Sequence, residues 1–196
     1  MLALPPAPAP APRRQLFIGA SLIGAGGATL IGGMLATYMR FRDAARSGGG
    51  TWKPDAIAIP EVASNIMLFS FIAIGVFVQW AVYSAKRGDK KHTGMALGLN
   101  AVIGLAIINA QAAVWAQIEL PVNGAGDISG YGIMFYAVTG TFFVLLITGV
   151  VFTLITAFRY LGGRTSETEI VTAHAIYWYF LTAAFCMLWY VVYVMK

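Results

Sequence analysis

The sequence predicts an all-α, polytopic membrane protein built as a bundle of five transmembrane helices. Three observations predict it. Of 196 residues, 59% are hydrophobic and only 11% are charged, whereas about a quarter of the residues of a soluble domain are charged. The mean hydropathy is +0.73. Five apolar runs can be drawn, at about residues 16–39, 63–84, 94–117, 132–158 and 170–195, each near the ~20 residues that cross ~30 Å of hydrocarbon. Backbone groups in lipid must be satisfied within the segment, and the period-2 alternation of a barrel is absent, so the runs are helices.

Residues 1–14 begin MLALPPAPAPAP, a Pro/Ala alternation that favours an extended conformation and cannot bury a core. They are expected to form a disordered tail, with residues 15–196 as one five-helix domain. Arg13 and Arg14 before Gln15 look superficially like a twin-arginine signal, but the following apolar run is too long for a signal peptide and further spans follow it.

Along the first helix, Ala20, Gly24, Ala28, Gly32 and Ala36 recur every four residues. Small side chains at this spacing let another helix approach closely, so this face is expected to pack against protein. The loop from Ser47 to Pro60 is expected to be an external turn, with Trp52 near the headgroups. The second helix ends in Gln79 and Trp80 and leads into the solvated charge run KRGDKKH.

The third helix carries Asn100, Asn109, Gln111 and Gln117, each expected to make an interhelical hydrogen bond. Asn109 and Gln111 are two apart and so face different directions. The fourth helix opens on a Gly-Tyr-Gly turn and carries no ionisable group from Gly130 to Gly149. In the fifth, Trp and Tyr near the ends suit interfacial belts, and Tyr179 and Thr182, somewhat deeper, are expected to be contacts within the bundle.

The net charge is +5, yet the basic residues lie in short clusters beside apolar runs, which is how membrane proteins set orientation, so nucleic acid is not an expected partner. Arg13, Arg14, Lys86, Arg87, Lys90, Lys91, Arg159 and Arg164 fall on the side of the N-terminus; Arg40, Arg42, Arg46, Lys53 and Lys196 fall on the other. That asymmetry predicts a cytoplasmic N-terminus and an external C-terminus.

Every Asp and Glu falls in a loop or at the edge of a span, although pumps and proton-coupled carriers place ionisable groups in the bilayer despite a cost of ~2.5–3.5 kcal/mol. The two histidines are His92, in the charged loop, and His174, expected at the interface. They do not build a haem or binuclear metal site, and Cys186 has no cysteine partner. No catalytic, cofactor-binding or metal-binding residue is therefore expected in this chain.

Several segments in order resemble subunit III of the haem-copper (cytochrome c) oxidases in its shorter, five-helix bacterial form: LATYMRFRDAA, Trp52 with Pro54, Pro60 followed by LFSFIAIGVFVQWA, Gln111 with Trp115, YGIMFYAVTG, and AIYWYF. The departures fall at the family's intramembrane charges. Its glutamates fall at Gly27 and Val114, the His of its closing motif at Tyr179, and its His-x-x-His segment at TFFVLL, residues 141–146.

The resemblance implies a noncatalytic component of a respiratory terminal oxidase in a bacterial inner membrane. It would pack beside catalytic subunit I, other respiratory-complex subunits and membrane lipids, with haem and copper held by the partner subunits. Two alternatives remain at this point: a subunit III-like accessory protein of a nitric oxide reductase, and a small transporter for a neutral solute lined by Asn100, Asn109, Gln111 and Tyr179.

Overall fold

A computed structural model describes residues 14–54, 57–118, 130–164 and 168–195. Five helices follow one another: α1 Gln15–Ser47, α2 Glu61–Lys86, α3 Lys90–Ile118, α4 Gly130–Leu161 and α5 Thr168–Leu188, the last continuing as a π-helical segment, Trp189–Val194. Each is long and apolar enough to cross a membrane, and no strand occurs among the described residues. The Pro/Ala tail lies outside them, apart from Arg14.

The helices overrun the apolar stretches that announce them. The largest difference is in α1, which continues past residue 39 to Ser47 and so carries Arg40, Arg42 and Arg46 on its last turns. Leaving hydrocarbon does not end a helix; a change of backbone conformation does. Here Gly48, Gly49 and Gly50 supply it, with Gly49 at φ 77° and the Gly48 and Gly50 amides donating to Ala44 O and Ala45 O. Gly88, at φ 72°, makes the turn from α2 to α3.

Asp89 caps α3. Its carboxylate accepts from the His92 amide at 3.1 Å and meets His92 Nδ1 at 2.6 Å, so the side chain satisfies a first-turn donor that has no partner within the helix. The His92 backbone and ring contacts hold the carboxyl below its ordinary pKa. The cap is therefore fully formed above the ordinary aspartate pKa and is lost as the pH falls through the lowered one.

α5 is the most enclosed helix and α1 the least. α5 packs on α1, α2 and α4, while α3 is held between α2 and α4. Phe71 of α2, Phe142 of α4 and Phe185 of α5 meet at centroid distances of 4.6 to 5.6 Å and fill the middle. The outer surface is covered by large apolar side chains such as Leu22, Phe69, Val76, Val144 and Phe158, the arrangement a lipid solvent permits.

Close approach of α3, α4 and α5 depends on two glycines. A Cβ on Gly104 would lie 2.8 Å from Val150 Cγ2 and 3.1 Å from Trp178 Cη2, and one on Gly149 would lie 2.7 Å from Leu181 Cδ1. Trp52 is buried by protein, its ring edge-on to Tyr38 at 5.3 Å and to Tyr131 at 5.7 Å, because the loop after α1 folds back over the end of the bundle.

Gly104→Ala should lower the thermal unfolding midpoint in detergent. Overpacking against a branched side chain and an indole costs about 1–3 kcal/mol, more than the gain in helix propensity, about 1 kcal/mol at most. Gly98→Ala on the same helix, where nothing lies within 4 Å of the added Cβ, should leave the midpoint unchanged or raise it. Equal midpoints for the two variants would show that the α3–α4–α5 contact is looser than described.

Candidate functional site

The chemistry of the interior is concentrated in one polar node. Asn100 and Gly104 lie one turn apart on α3, Gly149 and Thr153 one turn apart on α4, and His174 and Trp178 one turn apart on α5, which brings four polar side chains and two glycines together. The Trp178 indole N–H donates to Thr153 Oγ1 at 2.9 Å, and the Asn100 amide donates to the same oxygen at 3.2 Å. His174 Nε2 lies 2.8 Å from Thr153 Oγ1 and 3.3 Å from Asn100 Nδ2.

Asn100, Thr153, His174 and Trp178 are all fully buried. The role of Nε2 in these two contacts depends on the ring tautomer, and His174 Nδ1 and Asn100 Oδ1 are enclosed without a hydrogen-bond partner among the described residues. Thr153 Oγ1 also lies 2.9 Å from Gly149 O in its own helix. Its one proton therefore serves either that carbonyl or His174.

His174 thus corrects the expectation of an interfacial residue. It sits within α5 on the face covered by α3 and α4, with Phe152 packed edge-on to its ring at 5.6 Å. The signal was available in the spacing: Asn100, Gly104, Ile107, Gln111 and Val114 form the buried stripe of α3, and His174, Trp178 and Leu181 that of α5.

The other expected polar contacts divide. Gln111 is on the buried stripe of α3. Thr182 reaches across to Phe71 O of α2 at 3.3 Å as well as to Trp178 O of its own helix at 2.9 Å. Tyr179 bonds Gln79 Oε1 of α2 at 2.7 Å, but on an exposed surface rather than inside the bundle.

Asn109 and Gln117 are exposed and do not make the interhelical bonds expected of them among the described residues. The helical period that turns Gln111 inward turns Asn109 outward.

The small-residue face of α1 also divides. Ala20 and Gly24 are buried, and a Cβ on Gly24 would meet Phe180 Cβ of α5 at 3.4 Å. Gly27, outside the expected stripe, is seated tightly too, with Phe180 Cζ 2.5 Å from the place of a Cβ. Ala28, Gly32 and Ala36 are exposed. They line an open apolar groove of about 640 Å³ between α1 and α5, walled by Phe180, Ala183 and Met187.

Comparison with known proteins gives one consistent result. Residues 30–196 match the family described as cytochrome c oxidase subunit III. Among curated proteins, the chain is 26% identical to cytochrome c oxidase subunit 3 of Bos taurus and 28% identical to that of Paracentrotus lividus, in each case over 153 residues that make up 74% of this chain and 56% of the relative. It is 29% identical to that of Anopheles gambiae, covering 55% of the relative. The chain therefore spans little more than half the length of the curated relatives it matches.

Replacement of Thr153 by Val should test the node. It leaves the Trp178 and Asn100 donors without their shared acceptor, and an unsatisfied buried group costs about 1–3 kcal/mol, against an average of about 0.6 kcal/mol for one membrane hydrogen bond. Thr29→Val, at an exposed hydroxyl that bonds only Ala25 O of its own helix, should cost almost nothing. The check is the thermal midpoint of each purified variant, and equal midpoints would remove the node from the account of stability.

Proposed function

Because the chain belongs to the cytochrome c oxidase subunit III family, we propose that it is a noncatalytic membrane component of a respiratory terminal oxidase. In this reading it packs beside catalytic subunit I, and the partner subunits hold the haem and copper. The observation that carries the reading is the family match over residues 30–196, which takes in the second half of α1 and all of the other four helices.

The use made of polar groups supports it. Asn100, Thr153, His174 and Trp178 bond one another across helices, and among the described residues no three His, Cys, Asp or Glu side chains come together. A neutral-solute path along Asn100, Asn109, Gln111 and Tyr179 is not favoured, because Asn109 and Tyr179 face outward while Asn100 and Gln111 are buried. The nitric oxide reductase reading is not favoured, because the relatives named above are cytochrome c oxidase subunits.

We place the chain in a bacterial inner membrane with its N-terminus cytoplasmic and its C-terminus external, the orientation that the larger basic cluster at the N-terminal side favours. The exposed Ala28, Gly32 and Ala36 are the part of α1 where a neighbouring subunit's helix can approach closely.

In mild detergent the tagged chain should copurify with an oxidase catalytic subunit identified by mass spectrometry, and its absence from the preparation would reject the assignment. Gly32→Leu, a position with nothing within 4 Å of an added Cβ, should reduce the copurified catalytic subunit several-fold while leaving the chain's own thermal midpoint unchanged. Undiminished copurification would move the interface away from the α1–α5 groove. For orientation, a Cys186→Ser background with a cysteine at Ser47 should be labelled from the external side and one with a cysteine at Lys91 should not; the reverse pattern would invert the topology.

A further inference from the structure

At the end of the bundle where α1 finishes and α4 begins, five side chains from five elements converge. They are Tyr38 of α1, Trp52 of the following loop, Gln111 of α3, Tyr131 of α4 and Tyr193 of the π-helical segment. Tyr38, Trp52 and Tyr131 meet edge to edge, with centroids 5.3, 5.7 and 6.4 Å apart. Phe135 links Tyr131 to Tyr193 at 6.0 and 6.3 Å.

All five side chains are buried. Their polar atoms, Tyr38 Oη, Trp52 Nε1, Gln111 Nε2, Tyr131 Oη and Tyr193 Oη, are enclosed and make no direct hydrogen bond to any described residue. Tyr38 neighbours Trp52 and Tyr131 through ring contacts, and Tyr193 neighbours the Gln111 side chain.

Leaving five buried polar groups unpaired is costly, and buried polar groups without a protein partner are commonly satisfied by an ordered water that makes about three hydrogen bonds. The inventory fits water better than an ion or an apolar guest: the indole and amide nitrogens only donate, the phenols both donate and accept, and water does both.

Arg42, on the same end of α1, is engaged with Met195 O at 2.7 Å and Asp43 at 3.7 Å. Tyr193 also lines a polar crevice of about 250 Å³ with Glu61, Ser64, Asn65 and Trp189. We propose that Tyr38, Tyr131 and Tyr193, closed by the Trp52 indole and the Gln111 amide, form a binding site for ordered water that bridges α1, α3, α4 and the end of α5.

X-ray hydroxyl-radical footprinting of the purified full chain tests this, because short pulses label a side chain where water is already bound even if it is buried. Tyr38, Tyr131 and Tyr193 should be labelled several-fold faster than Phe71, Phe142 and Phe185, which are equally buried but carry no polar group. Rates as slow as those of the three phenylalanines would overturn the proposal.

Tyr131→Phe should then slow labelling at Tyr38 and Tyr193 toward the phenylalanine rate, and unchanged labelling there would also overturn it. Should that variant fail to fold, the comparison within the unsubstituted chain decides by itself.

Discussion

The seating of Trp178 between two glycines is the contact on which the rest of the bundle depends. Its ring reaches Gly104 on α3 and Gly149 on α4, and a side chain at either position would push the helices apart. With them close, the indole N–H finds Thr153, and Asn100 and His174 come within reach of the same oxygen. Packing and polar satisfaction are therefore one event here. Neither would be complete if the helices stood farther apart, because dispersion falls steeply with separation and an unpaired donor in this setting has no water to turn to.

The enclosed helix and the open helix have different tasks. α5 gives its faces to α1, α2 and α4 and ends in a π-helical segment whose Val191, Val192 and Tyr193 are all buried. Arg42 of α1 closes that end by donating to Met195 O. α1, by contrast, packs along α5 from Phe17, whose amide meets Glu169, to Arg42 on one flank only, and Ala28, Gly32 and Ala36 face outward. In a membrane the hydrophobic effect gives no reason to hide such a face from lipid, so its value lies in close approach to another helix.

Gly27 is the place where the Phe180 ring lies on α1, close enough that a side chain there would displace the ring, and Val114 is on the buried stripe of α3. The polar interior lies at Asn100, Thr153 and His174, residues that the motif comparison did not bring forward.

By itself, the sequence determined the number of spans, their order and their helical nature, because a bilayer leaves a ~20-residue apolar segment no other way to satisfy its backbone. It also determined which residue types were available for chemistry. Helix ends were less legible: α1 runs on to Ser47 because nothing before the Gly48–Gly50 turn stops it. Which way each polar residue faces was decided by tertiary structure. Two residues of one helix, Gln111 and Asn109, go to the core and to the outer surface, and His174 is interior rather than interfacial, because burial depends on which flank the neighbouring helix covers. Trp52 followed the same rule: only the folding back of the loop onto Tyr38 and Tyr131 supplied protein to cover its indole.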